Sequence, residues 1–292
     1  MKKTGVSVIS LLLFATLATA ATRYVVPPGT PGVATASGYT SWETAATNIQ
    51  HAVDAAATDD LVLVTNGTYY LTSEISIAKK ITLRSFKDGA TDRDGTILDG
   101  NFPATSNRCL YVYAVGAVVD GFTITNGAPL ATSRSGHGGG LYLQSGVVRN
   151  CRIIGNRAAA SGGGAYIQTD CTLANCIVSG NTALDPAANS VRTGGGLYSY
   201  LGGVVTNCVI AENRARDGGG VASSNGGNSG GLLLVDCTII SNTAAPATGQ
   251  TGAGGQGGGV FGANRHVLDR CIIAYNQALP SAGGSGSSSY GA

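Results

Sequence analysis

From about residue 61 onward, apolar and polar positions alternate over runs of only a few residues, and glycine bounds each run. Leu141 and Leu143 in GLYLQ share one face, as do Cys151 and Ile153 in CRIIGN. Period-two alternation in short segments rich in Val, Ile, Leu, Tyr and Thr predicts strands, since helices need ten or more residues at a 3.6-residue period. The strands also recur. VVRNCRIIGN, TLANCIVSGN, VVTNCVIAEN, LLVDCTIISN and VLDRCIIAYN align on Cys151, Cys176, Cys208, Cys237 and Cys271. Five residues after each Cys stands an Asn: Asn156, Asn181, Asn213, Asn242 and Asn276. An earlier copy, VVDGFTITN, ends at Asn126 and carries Gly121 in the Cys position. Ala follows each Asn two residues later, and triplets of glycine open the next unit at 138–140, 162–164, 194–196, 218–220 and 257–259.

Successive Cys residues are 25, 32, 29 and 34 residues apart, a period that signals a solenoid. Strands repeated in register stack each on its copy one coil away, at about 4.8 Å, and build a parallel β-helix. Repeated residues then become ladders. The Asn column can satisfy a turn backbone and bond the amide of the next Asn, and the glycines permit tight turning. Variable stretches such as 185–193 and 223–231 become loops. Dividing the length by the period gives roughly nine coils.

The region before the strands has a different period. Trp42, Ala45, Ala46, Ile49, Ala52, Val53 and Ala56 fall on one face of a helix, and Thr40 with Glu43 forms a capping box. An amphipathic helix here would close the open apolar end and the strand edges of the first coil. Residues 1–20 read as a signal peptide: Lys2 and Lys3, an apolar run from Val6 to Leu17, then Ala18-Thr19-Ala20. The expected organisation is therefore signal peptide 1–20, N-terminal segment and capping helix 21–60, and β-helix 61–292. The last stretch, SAGGSGSSSYGA, reads as the opening of another coil, so the solenoid is expected to be truncated at its C-terminus.

Charge and cysteine content narrow the chemistry. The 292 residues include 45 Gly and only 12% charged residues, with a net charge of +2. Removing the signal takes away Lys2 and Lys3, leaving 16 basic residues against 16 acidic, so no basic surface for nucleic acid is indicated. No segment of the mature chain reads as a membrane span, and the sequence leaves the oligomeric state open. Seven Cys in an exported chain suggest disulfides, but Cβ vectors in a parallel ladder run side by side and disfavour the required torsion. Buried free thiols are expected, with Cys109 and Cys171 off the column. No second ligand at metal-binding spacing accompanies the Cys, so no cofactor is expected.

NIQHAVDAA, LVLVTNGTYYL and TILDG resemble the N-terminal region of secreted right-handed parallel β-helix proteins of the pectin-lyase-like superfamily. The later coils, with GGG before Leu, Ala or Val and C-x-I/V-x-x-N, resemble the repeats of chlamydial polymorphic outer membrane proteins and related surface proteins of Gram-negative bacteria. Ile or Val replaces the Phe of those repeats in every Cys-bearing unit. The resemblance implies an all-β, single-stranded right-handed parallel β-helix, secreted or displayed on the outer surface of a Gram-negative-type bacterium. For the superfamily's enzymes it implies two chemistries. Lyases hold Ca²⁺ with clustered carboxylates and use Arg or Lys as base; hydrolases pair two acids. Ca²⁺ would be a cofactor here only in the lyase case.

The acids of the repeats scatter around the coil; only Asp185 and Asp217 share an offset, in expected solvated loops. Asp99 and Asp120 make the best remaining carboxylate pair, with Arg108 and Arg84 as neighbouring cations, although Asp before Gly at a strand end is ordinarily a turn former. Tyr142, Tyr166 and Tyr198 each follow a glycine triplet by two residues and should stack into a stripe. The leading expectation is a non-enzymatic module, adhesin-like or structural, that binds an extracellular polysaccharide or a surface protein through its loops and this stripe. The alternative is a polysaccharide lyase or glycosidase.

Overall fold

The computed structural model describes residues 19–33, 38–132, 136–183, 193–224, 231–246, 255–262 and 266–280. Most of the anticipated signal peptide, of the loops 185–193 and 223–231, and all residues after Pro280 lie outside these, as does Asp185. Every strand pair within the four sheets is parallel, and in each sheet the neighbours come from successive turns of the chain. The chain is a parallel β-helix. Its described residues complete seven coils and three strands of an eighth.

A representative coil runs through Cys171–Ala174 in a nine-stranded sheet, Ile177–Ser179 in an eight-stranded sheet, Thr182–Ala183 in a four-stranded sheet and Leu197–Tyr200 in a seven-stranded sheet. Alternation turns Leu173, Val178, Ala183 and Leu197 inward, where each is fully buried. The inner residues of all coils merge into one continuous core, with a small separate stack of Ala158, Ala183 and Ala215. That stack accounts for the Ala two residues after each Asn.

The repeated positions resolve into distinct columns. The residue before each Cys turns a corner in the left-handed region: φ is 54° at Asn150, 55° at Asn175 and 50° at Asn207. Asn tolerates that region better than most residues. Cys then points inward, its thiol donating to the carbonyl two residues back, as from Cys176 Sγ to Ala174 O at 3.2 Å. All seven cysteines are free thiols. Burial pushes the Cys176 and Cys109 thiols up, and Cys171 up to about 11.

Four residues of the ladder, Asn156, Asn181, Asn213 and Asn242, are buried, and each uses its whole amide. Asn213 Nδ2 donates to Val178 O in the preceding coil (2.9 Å) and to Asn242 Oδ1 in the next (2.9 Å), while its Oδ1 accepts from Asn181 N and Nδ2 (2.9 and 3.0 Å). The glycine triplets serve these columns residue by residue. At 194–196, Gly194 takes φ +70°; a Cβ on Gly195 would lie 2.4 Å from Gly219 O and 2.5 Å from Arg214 C; one on Gly196 would press on Asn213 Nδ2 at 2.8 Å. One glycine turns the chain, and two admit neighbouring backbone and amide.

Two expectations change. In the early copy VVDGFTITN, Phe122 stands in the Cys column and Gly127 in the Asn column, because Ile124 pairs with Ile153. Gly127 N donates to Asn156 Oδ1 at 2.9 Å. Asn126 is exposed at a left-handed corner (φ 54°), outside the ladder, and its amide donates to Asp99 Oδ2. The helix is also shorter than expected, spanning Ile49–Ala55 with Asn48 as its N-cap, whose Oδ1 accepts from Gln50 N at 2.8 Å. Thr40 and Glu43 do not cap it. Ala46 instead bridges the first strand, accepting from Val26 N and donating to Tyr24 O, and Trp42 packs on Tyr24 and Phe86. Long-range pairing has overridden a local helical spacing.

The short helix still covers the first coil, burying Ile49, Ala52 and Val53 in the core. Gln50 finishes the edge of strand Ile75–Ile77: Ser76 N donates to its Oε1 at 2.8 Å, and its Nε2 donates to Ser76 O at 3.2 Å. A side-chain amide thus stands where another strand's peptide would bond. Among the described residues, no helix is long and apolar enough to cross a membrane.

Candidate functional site

The outer surface of the seven-stranded sheet carries the densest cluster of aromatic side chains. In strands Leu110–Val112, Leu141–Leu143, Ala165–Ile167 and Leu197–Tyr200, the first and third residues face the core, so the second faces out. Register places Tyr111, Tyr142, Tyr166 and Tyr198 in one column over four successive coils. The Tyr142 and Tyr166 rings stack with centroids 4.7 Å apart, and Tyr166 and Tyr198 at 5.3 Å; Tyr111 meets Tyr142 edge-on at 5.5 Å. His137 packs on Tyr166 at 4.6 Å. Burial, reinforced by the neighbouring phenols of Tyr142, Tyr198 and Tyr200, raises the Tyr166 phenol well above its usual value.

Because these rings stack on one another, their faces are mutually covered. They form a firm wall rather than a row of open platforms. The accessible chemistry lies one column over. Tyr113, Gln144, Gln168 and Tyr200 follow two residues after the first column and also face out. Gln144 N donates to Val112 O and Gln168 N to Leu143 O, which continues the register. Tyr113 and Tyr200 are 39% and 38% exposed, whereas Tyr111 and Tyr166 are buried. Tyr113 stacks on Tyr111 at 4.5 Å. The Gln side chains tie the columns together: Tyr111 Oη donates to Gln144 Oε1 at 2.6 Å, and Gln168 Nε2 donates to Tyr142 Oη at 3.0 Å.

Arg108 lies beneath this face with its side chain fully buried. It ion-pairs with Glu74 at 2.7 Å, donates to the carbonyls of His137 and Gly138, and approaches the Tyr142 ring at 5.2 Å. It fastens the turn that presents Tyr142. Asp99 accepts from Asn101 N and Asn126 Nδ2, and Asp120 from Arg149 Nε and Asn150 Nδ2. The structure places the three on different sheets. Asp99 ends a strand of the eight-stranded sheet, Asp120 one of the nine-stranded sheet, and Arg108 precedes a strand of the seven-stranded sheet. Arg84 neighbours Asp120 by register, yet Arg149 forms the ion pair.

Asp217 departs from the solvated loop expected for it. It is buried, bridges Thr193 and Gln256 in neighbouring coils, and its Oδ1 accepts from Gln256 N at 3.0 Å. Burial raises its carboxyl above the usual range despite that bond and nearby Arg216. Among the described residues, no three His, Cys, Asp or Glu side chains converge as a metal site.

Sequence reasoning placed Tyr142, Tyr166 and Tyr198 in a common column and missed Tyr111, Tyr113, Gln144, Gln168 and Tyr200 as its companions. The signal was present as Tyr-x-Tyr, Tyr-x-Gln, Tyr-x-Gln and Tyr-x-Tyr at matching strand positions. Tyr111 escapes because Arg108 and Cys109, not glycines, precede its strand.

No family model matches the chain, and no curated protein matches it. Two solved structures are similar at 13% identity. Escherichia coli YbhC aligns over 90% of this chain and 88% of its own with a TM-score of 0.47; the pectin methyl esterase of rice weevil aligns over 84% and 90% with a TM-score of 0.33. At these scores the likeness assigns neither activity nor site.

Proposed function

We propose that this protein is an exported, non-enzymatic β-helix that holds extracellular polysaccharide on the outer face of its seven-stranded sheet. The observation that carries the reading is the unbroken run of outward tyrosines in four successive coils, backed by Arg108 and flanked by the exposed Tyr113 and Tyr200. A stacked aromatic wall outside the core, with exposed tyrosines at its margins, supports a binding surface. Fold stability has other sources in the inner core and the Asn ladder. The non-enzymatic part is supported by Asp99, Asp120 and Arg108, which lie on three sheets and are each engaged in holding turns or neighbouring strands. Export is inferred from the character of residues 1–20.

The test is affinity electrophoresis of the exported protein through gels containing β-glucan, galactomannan, xylan or polygalacturonate, with parallel assays of reducing ends and unsaturated products, with and without Ca²⁺. Retardation by at least one polymer, lost in Tyr142→Ala and Tyr198→Ala, with no product formed, is the expected result. Calcium-dependent product would overturn it in favour of a lyase, and capture of a surface protein without retardation by any polymer would overturn it in favour of a protein partner.

A further inference from the structure

We infer that the face grips a neutral, hydroxyl-bearing oligosaccharide segment across Gln144 and Gln168, between Tyr113 and Tyr200; this rests on the polysaccharide-binding reading above. The inference comes from what the two amides leave unused. Gln144 takes the Tyr111 hydroxyl proton on Oε1, so its Nε2 remains a donor; Gln168 gives an Nε2 hydrogen to Tyr142 Oη, so its Oε1 remains an acceptor. Among the described residues, no side chain takes up either group, and Gln144 is exposed and Gln168 half-buried. They stand in adjacent coils, about 4.8 Å apart along the sheet. A donor beside an acceptor at that spacing complements two hydroxyls of one sugar, one accepting from Gln144 and the other donating to Gln168.

The brackets and the charge define the rest of the ligand. Tyr113 and Tyr200 are three coils apart in the same column, a span of about 14 Å that fits a short oligosaccharide rather than one ring. Neither outward column carries a charged residue between Tyr113 and Tyr200, and the nearby Arg108 is buried and paired with Glu74. A uronate carboxylate would meet the Gln168 carbonyl with no cation among the described residues of these two columns to offset it. The surface therefore selects neutral over acidic polymers.

The experiment compares retardation by galactomannan and mixed-linkage β-glucan with retardation by polygalacturonate. The variants are Gln144→Glu, Gln168→Glu and Tyr200→Ala, each checked by thermal unfolding. Gln144→Glu keeps the acceptor for Tyr111 and removes the free donor, so affinity for the neutral polymer should fall about tenfold or more. Gln168→Glu keeps its free acceptor and should lose less. Tyr200→Ala should weaken binding about fivefold. If Gln144→Glu lowers the unfolding temperature, Gln144→Met removes the donor without adding charge and takes its place. Retardation by polygalacturonate alone would overturn the inference. So would wild-type affinity in Gln144→Glu or Gln144→Met while Tyr142→Ala and Tyr198→Ala abolish binding; that result leaves the broader polysaccharide reading standing. Retardation by none of the polymers would remove both.

Discussion

The early coils and the late coils build the same solenoid by different means. Between residues 61 and 126 the interior is filled by large side chains, among them Ile75, Ile77, Ile81, Leu83, Leu98 and Phe122, with Phe122 occupying the column that later holds Cys. From Asn156 onward the corner is held by a chain of amides, and the turn before each seven-stranded-sheet strand is reduced to bare glycine. The early coils fit shape to shape, each in its own way. The late coils repeat one hydrogen-bond solution, so their sequence is periodic and their tolerance for change is concentrated outside a few columns.

A single methyl group should separate the two regimes most sharply. Gly195→Ala places that methyl against Gly219 O and Arg214 backbone, neither of which can swing aside, and should cost more than about 4 kcal/mol, at the extreme of point substitutions. Removing one methyl from the early core with Ile77→Val should cost only about 1 kcal/mol. Urea unfolding of both variants checks the ordering, and similar midpoints would mean that the late coils can relax after all.

Next in size is the ladder itself. Asn213→Ala strands the Asn181 backbone N–H and several amide groups in a buried site and should cost about 3 kcal/mol or more. Asn126→Ala, at an exposed corner one residue off the ladder, should cost about 1 kcal/mol, chiefly for placing Ala in the left-handed region. Equal losses of thermal stability would remove the distinction drawn between those positions.

The smallest contrast is between two buried aspartates. Burial works against the Asp60 charge, but bonds from Ala21 N, Ala57 N and the Arg23 guanidinium outweigh it and hold its carboxyl below the usual range. Asp217 is shifted the other way, by burial. Asp60 therefore contributes stability above about pH 4 that is lost as pH falls through its lowered folded value, and Asp60→Asn should be destabilised at neutral pH with the gap closing in acid. Asp217 favours the fold only while protonated, below its unfolded value near 4, and loses that contribution as pH rises through its raised folded value. Asp217→Asn should thus be more stable than wild type at pH 7 and equal to it at low pH. Melting temperatures between pH 3 and pH 7 test both signs.

Much of this architecture could be read in advance where it repeats. Five Cys–Asn pairs at a constant offset fix inner and outer positions once period-two alternation is recognised, and the strand columns follow. The reading slips where a residue's identity misleads about its place. Asn126 looks like a rung, but aligning on Ile124 and Ile153, which both point inward, shows it to be a corner. Ala45 and Ala46 suit a helix face equally well, and only pairing with Tyr24 and Val26, some twenty residues away in sequence, decides against it. The candidate binding face is half legible for a related reason. Tyr142, Tyr166 and Tyr198 announce themselves through the glycines before them, whereas Gln144 and Gln168 acquire meaning only from the tyrosine hydroxyls across from them.

The ladder also bears on how such a chain can be inherited. Each rung bonds only within its own coil and to the coils on either side, and the unequal periods of 25 to 34 residues show that the length between rungs is free to vary. Duplication of one period in the gene would add a coil whose Asn accepts from the coil before, donates to it and to the coil after, and meets at each face the same contacts its parent coil meets. Length in this protein can be gained or lost a whole coil at a time, while the capped early coils, fitted individually, have no such freedom.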